Sequence, residues 1–104
     1  MKESDIQKQI LDYLRIKKCL VFKHRNVGIY KQSTGKYIPL SFGEKGISDI
    51  IGLTDKGQFL AIEVKMPKKK PSKEQLDFIE RVKEKGGIAF WTSDLDAVIK
   101  ALNR

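Results

Sequence analysis

The chain of 104 residues has a single cysteine, Cys19, and a single histidine, His24. No intrachain disulfide and no Cys/His zinc cluster can therefore form, and a Ser-His-Asp or Cys-His arrangement would have to be built on His24 alone. Cys19 leads an apolar run, Leu20, Val21 and Phe22, that reads as a strand, so a packed thiol is expected there. No apolar stretch approaches the roughly 20 residues that a bilayer span needs, and the opening Met1, Lys2, Glu3, Ser4 and Asp5 lacks the apolar core of a signal peptide. A cytoplasmic protein is expected, without a membrane partner.

Acidic residues are also scarce. Asp and Glu number 13 against 21 Lys and Arg, a formal charge of +8 at pH 7, and the sequence pI is about 9.6. With 40% hydrophobic and 33% charged residues, the chain can bury an ordinary small core, and its length allows one compact domain over residues 1–104. The cationic surplus attracts polyanions. It is also localised: residues 17–45 carry seven Lys or Arg and one acid, and residues 65–73 carry five Lys and no acid.

Ile6, Ile10, Tyr13 and Leu14 recur at helical spacing, which predicts an amphipathic helix over residues 5–16. The alternating run from Cys19 to Asn26 predicts a strand. Ser33, Thr34 and Gly35 stand between two short runs, 29–32 and 36–38, that can form a small hairpin, with Pro39 and the glycines Gly28, Gly43 and Gly46 marking loop. Residues 49–54 and 58–65 then read as two strands around Asp55-Lys56-Gly57, a three-residue hairpin loop with glycine at its left-handed position. Ser72 and Gln75 form a capping-box pattern ahead of a helix over 73–85 whose apolar face is Leu76, Ile79 and Val82. A strand over 88–91 and a last helix capped by Ser93 follow. The order is α-β-β-β-α-β-α. Strands 58–65 and 88–91, joined by a helix, should run parallel, so the sheet is mixed and flanked by helices.

The register of the 49–65 hairpin carries the chemistry. Pairing Thr54 with Gln58 and stepping back sets Leu53 opposite Phe59, Ile51 opposite Ala61 and Asp49 opposite Glu63. Directly opposed side chains have Cβ atoms about 4.5–5.5 Å apart, at which two carboxylates repel unless a cation joins them. Lys65 projects on the same face as Glu63 because side chains alternate with period two. Paired oxygens without Cys or His ligands suit a hard divalent cation such as Mg²⁺ or Mn²⁺, and a neighbouring ammonium can either orient or help deprotonate a metal-bound water or neutralise charge building on a phosphoryl group. This chemistry is phosphodiester hydrolysis. Glu3 falls on the core-facing stripe of the first helix; it either reaches the metal site or is an ordinary acid at a helix N-terminus. Gln75 is either a capping-box residue or one that hydrogen-bonds a metal-bound water or phosphate. His24 reads as a surface or DNA-contact residue, one strand away from the acidic pair. Lys68, Lys69 and Lys70 follow Lys65 closely enough to contact phosphate.

Gly46-Ile47-Ser48-Asp49, thirteen residues, then Glu63-Val64-Lys65 resembles the PD-(D/E)xK nuclease signature, with serine where its name-giving motif has proline. Together with Glu3 and Gln7, Arg25 through Gly28, Gly46 through Gly52 and Ser72 through Gln75, the chain resembles a stand-alone VRR-NUC domain over nearly its whole length. The resemblance implies a restriction-endonuclease-like α-β-β-β-α-β core with an added C-terminal helix. It implies a Mg²⁺- or Mn²⁺-dependent DNA endonuclease with Glu3, Asp49 and Glu63 as metal ligands, Asp49, Glu63 and Lys65 as catalytic residues and Gln75 supporting them. It further implies a homodimer that cuts branched DNA in the manner of Holliday-junction resolvases, in a bacterial or phage-infected cytosol. Lys23, Arg25, Lys31, Lys36, Lys45, Lys68, Lys69 and Lys70 are the expected DNA-binding cations. Two rivals are a DNA-binding module without catalysis, and a metal-independent ribonuclease using Tyr30 or Tyr37, His24 and Lys65.

Overall fold

A computed structural model describes residues 1–24, 28–31, 35–39 and 46–103. The elements are α1 (Glu3–Ile16), β1 (Leu20–Lys23), β2 (Gly28–Lys31), β3 (Lys36–Pro39), β4 (Ile50–Leu53), β5 (Phe59–Val64), α2 (Lys73–Glu84), β6 (Ile88–Thr92) and α3 (Leu95–Leu102). β1, β4, β5 and β6 form one sheet in that order, while β2 and β3 form a separate antiparallel pair. β1–β4 and β4–β5 are antiparallel and β5–β6 is parallel. The expected mixed α/β fold is the one observed.

α1 starts two residues earlier than its periodicity indicates, because Asp5 Oδ2 accepts from Lys2 N at 2.8 Å and secures the first turn. Its stripe of Ile6, Ile10, Leu11 and Leu14 packs on Val21, Ile50, Leu60, Ile62 and Val64, with Val98 of α3 closing the same core. Ile10, Leu14 and Ile62 are fully buried, each contributing roughly 1.5–3 kcal/mol. Cys19 packs partly buried against this core, and burial pushes its thiol pKa up, in keeping with a structural thiol.

The opposite sheet face is covered over only part of its width. α2 sets Ile79 and Val82 on Ala61 and Ala89, flanked by Ile51 and Phe78. Leu76 does not join them: at about 100° per residue it lies roughly 120° around the helix from Val82, and it is exposed. The expected apolar face thus shifts to Phe78, Ile79 and Val82. Beyond α2, Leu20 and Phe22 of edge strand β1 are 68% and 53% exposed, and Leu53 and Phe59 beside them are also open.

Thr54 N donates to Gln58 O at 2.8 Å and Gly57 N to Thr54 O at 2.9 Å, so the β4–β5 turn closes in the expected register, with Gly57 at φ 82°. Three local expectations are corrected. Gly28 and Pro39 pair across β2 and β3 rather than marking loop, and the proline is tolerated because both strands of a two-stranded sheet are edges. The first strand stops at Lys23, short of the expected Asn26, which is outside the described residues. Asp94, not Ser93, caps α3: β6 runs on to Thr92 and the Asp94 carboxylate accepts from Ala97 N at 3.0 Å.

Candidate active site

Asp49 lies one residue before β4 and continues its register. His24 N donates to Asp49 O at 2.7 Å, extending the β1–β4 pairing by one step. Across the hairpin, Val64 N donates to Asp49 Oδ2 at 2.9 Å, which pins the carboxylate at the edge of β5. Glu63 is 2% exposed, so it is no surface ion-pair residue. The Asp49–Glu63 opposition follows from the ladder that pairs Ile50 with Ile62.

Few partners meet the Glu63 carboxylate. Gln75 Nε2 donates to Glu63 Oε2 at 3.3 Å, and Lys65 Nζ stands 3.9 Å from the same oxygen. Oε1 is buried without a hydrogen-bond partner. Burial pushes the Glu63 pKa up to about 8, helped by a hydrogen bond with Asp49 and by the Asp49 charge; the Lys65 ammonium opposes the rise, and the Glu3 charge adds to it. Glu3, half-buried in the first turn of α1, is therefore within electrostatic reach of Glu63.

Gln75 is the capping residue, and its side chain also makes a contact with Glu63 that the sequence did not indicate. Its Oε1 accepts from Ser72 N at 2.8 Å while Gln75 N donates to Ser72 Oγ at 3.2 Å, closing the capping box of α2. The same amide's Nε2 turns to Glu63. The start of α2 is held in place from the other side by Gly46. A Cβ there would lie 2.4 Å from the backbone of Glu74, and φ is +80°, so only glycine allows the chain leading to Asp49 to lie against this helix.

His24, Gly46, Ile47, Asp49, Ser72, Glu74 and Gln75 line an open cleft of about 310 Å³, and Glu63 is buried behind Asp49 and Gln75. His24 thus lies one strand away from Asp49, as expected, and from there also lines the cleft. β1 pairs directly with β4, and extending its ladder by one residue would have placed His24 opposite Asp49. Ser48, fully buried beside Asp49, has an Oγ without a partner.

Lys68, Lys69 and Lys70 are exposed on the connection between β5 and α2, and Lys23 is half-buried at the end of β1. Lys31 and Lys36 are backbone register partners in the separate two-stranded sheet, as are Tyr30 and Tyr37. Arg25 and Lys45 lie outside the described residues.

The sequence profile of the VRR-NUC domain matches residues 2–92. The chain belongs to the VRR-NUC domain family. Among solved structures, one titled "VRR_NUC domain" shares 22% identity with a TM-score of 0.66, over 98% of this chain and 95% of the other. A second, titled "VRR_NUC domain protein", shares 20% identity with a TM-score of 0.61, over 98% of this chain and 85% of the other. At these identities the likeness is one of fold. No curated protein matches the chain. VRR-NUC membership places it among nucleases, implies a DNA substrate and brings with it a general dependence on metal.

The residues fit a hard cation in a particular way. Glu63 Oε1 is an orphaned buried acceptor, Asp49 faces it, and the donor set is oxygen only. Among the described residues, however, no group of three His, Cys, Asp or Glu side chains is gathered closely enough to hold a metal. Glu3 is electrostatically near but does not close a three-carboxylate cage with Asp49 and Glu63, an arrangement in which mutual repulsion would be severe. A pair of carboxylates plus water is the coordination that Mg²⁺ commonly accepts. Among the described residues no helix is long and apolar enough to cross a membrane.

Proposed function

We propose that the chain is a Mg²⁺- or Mn²⁺-dependent DNA endonuclease acting on branched or otherwise structured DNA. The observation that carries this reading is the buried Glu63 carboxylate, one oxygen without a partner, opposed to Asp49 at the wall of an open cleft. A non-catalytic binding module would gain nothing from a carboxylate pair that repels phosphate.

In this mechanism Asp49 and Glu63 would hold the divalent cation, and Glu3 would add negative potential there. The bound cation supplies Lewis-acid polarisation of the scissile phosphate and a lowered pKa for water. Val64 N fixes the Asp49 carboxylate and Gln75 Nε2 fixes that of Glu63, so neither needs to reorient during the reaction. Lys65 neutralises charge that accumulates on the phosphoryl oxygens. Lys23, Arg25, Lys31, Lys36, Lys45, Lys68, Lys69 and Lys70 grip backbone phosphates on both sides of the acidic centre, which has no affinity of its own for polyanions. The protein acts in the cytoplasm as a homodimer, so that two centres cut a branched substrate together; the apolar residues left open on β1 are in keeping with self-association.

The test is a cleavage panel of duplex, flap, splayed and four-way DNA in Mg²⁺, Mn²⁺ and EDTA, with light scattering for the oligomeric state. Branched substrates should be cut in either metal and none in EDTA. Asp49→Ala and Lys65→Ala should each lose cleavage while keeping the fold and most of the DNA affinity. Cleavage by Asp49→Ala at the parent's rate would sink the assignment, and cleavage that persists in EDTA would favour the metal-independent ribonuclease.

A further inference from the structure

β6 is an edge strand of the main sheet, and its register sets Trp91 directly beside Glu63. In a parallel pair these neighbours lie about 4.8 Å apart and project from the same face. The alternation confirms this: Ala61 and Ala89, two residues back on each strand, pack together under α2, whereas Ile62 and Phe90 belong to the opposite core. α2 covers Ala89, and its Gln75 reaches Glu63, yet Trp91 is left 40% exposed.

The surroundings of this indole are specific. Lys65 N donates to Thr92 O at 2.9 Å, so the lysine of the acidic centre is held against the residue that follows Trp91. Lys68, Lys69 and Lys70 lie exposed in the segment that leaves β5 at this end of the sheet. On α2, Leu76 stands exposed directly after Gln75. A large, part-open aromatic face thus stands in register beside the Glu63 carboxylate, with Lys65 at that carboxylate and three more lysines in the segment that follows. Paired duplex bases offer no free π-face to an indole, because each is covered by its stacked neighbours. An unpaired nucleotide offers both a π-face for Trp91 and a phosphate for the lysines.

We propose that Trp91 is a specificity-determining residue that stacks on an unpaired base next to the scissile phosphate, so that the chain recognises single-stranded or splayed DNA at its reaction centre. The inference rests on the nuclease reading of the Asp49–Glu63 cleft, and it accounts for selectivity towards structured DNA without any base-edge readout.

Trp91 is the sole tryptophan, so its own emission reports the contact. The full chain is titrated in EDTA with oligo(dT) and, separately, with a fully paired duplex, each followed by Trp emission and by anisotropy of labelled DNA. Oligo(dT) should quench Trp91 strongly at saturation while the duplex leaves it nearly unchanged. Trp91→Ala should weaken oligo(dT) binding by about 5- to 150-fold, the range expected for loss of one stacked base, with duplex affinity altered less than twofold. Trp91→Phe, which keeps a stacking face, should recover most of the loss. Equal quenching by both DNAs, or a Trp91→Ala loss shared by both, would overturn the proposal; so would emission that follows protein concentration and dimer formation in light scattering, which would mean that a second copy covers the indole. Because binding is read without cleavage, quenching by oligo(dT) together with inert metal titrations would refute the nuclease reading alone. Metal-dependent cleavage with no stacking signal would refute only the role of Trp91.

Discussion

Glu63 is a catalytic candidate whose ionisation opposes the fold, and this makes the acidic centre measurable by stability alone. Its carboxyl titrates near pH 8 in the folded chain against about 4.5 when solvated. Between those values the folded state holds a proton that the unfolded state releases, so the contribution of Glu63 to stability is greatest below about pH 4.5, falls as pH rises towards 8 and levels off beyond it. At about 1.4 kcal/mol per unit, the displacement corresponds to at most about 5 kcal/mol. That is comparable with the whole stability of many small domains, roughly 5–15 kcal/mol. Glu63→Gln keeps an acceptor for Gln75 Nε2 and removes the titration. Urea denaturation of parent and Glu63→Gln in EDTA, from pH 5 to pH 9, should show the variant gaining on the parent by several kcal/mol across that range. Using the difference between the two chains cancels the shared pH dependence of the other charges. A difference that stays constant within about 0.5 kcal/mol would refute the burial argument. Adding Mn²⁺ at pH 8.5 should stabilise the parent and leave Glu63→Gln little changed, since a cation beside Glu63 favours its ionised form.

Other expectations separate positions that share one region. Ser72→Ala removes one half of the α2 capping box and should cost about 1 kcal/mol in thermal or urea melts while cleavage persists. Gln75→Ala should cost a similar amount and also slow cleavage, because it frees the Glu63 carboxylate; equal activities for the two variants would deny Gln75 any part in the site. Gly46→Ala places a Cβ 2.4 Å from the Glu74 backbone at a positive φ, and a loss above about 2 kcal/mol is expected from strain and displacement of the Asp49 approach. A melt within 0.5 kcal/mol of the parent would show that this packing is not needed. Neutralising Lys68, Lys69 and Lys70 together should flatten the dependence of DNA affinity on salt by up to about three counterions, and an unchanged slope would remove that segment from the interface.

Much of this arrangement is legible in the sequence because it is local. The Asp55-Lys56-Gly57 turn fixes the register of β4 and β5, and that register alone opposes Asp49 to Glu63 and aligns Lys65. Ser72 and Gln75 announce the start of α2 by spacing. What escaped depends on pairings between distant segments. The place of His24 in the cleft needs the β1–β4 ladder, and Trp91 becomes a neighbour of Glu63 only through the parallel β5–β6 register, neither of which a turn encodes. Leu76 reads as core by periodicity, but the direction in which α2 rolls is set by Ile79 and Val82 settling on Ala61 and Ala89. Ser93 reads as the cap of the last helix, but β6 runs on to Thr92 and the cap moves one residue on to Asp94.

The half-covered sheet face sets a practical condition on any study in solution. Leu20, Phe22, Leu53 and Phe59 lie open, and a charge of +8 keeps copies of the chain apart at low ionic strength. Raising salt releases DNA, but it also shortens the Debye length from about 10 Å at 0.1 M to about 3 Å at 1 M, stripping that electrostatic guard from the apolar strip. Nucleic-acid dissociation and protein self-association are thereby driven by the same variable, and a salt titration of one records both unless particle mass is followed alongside it.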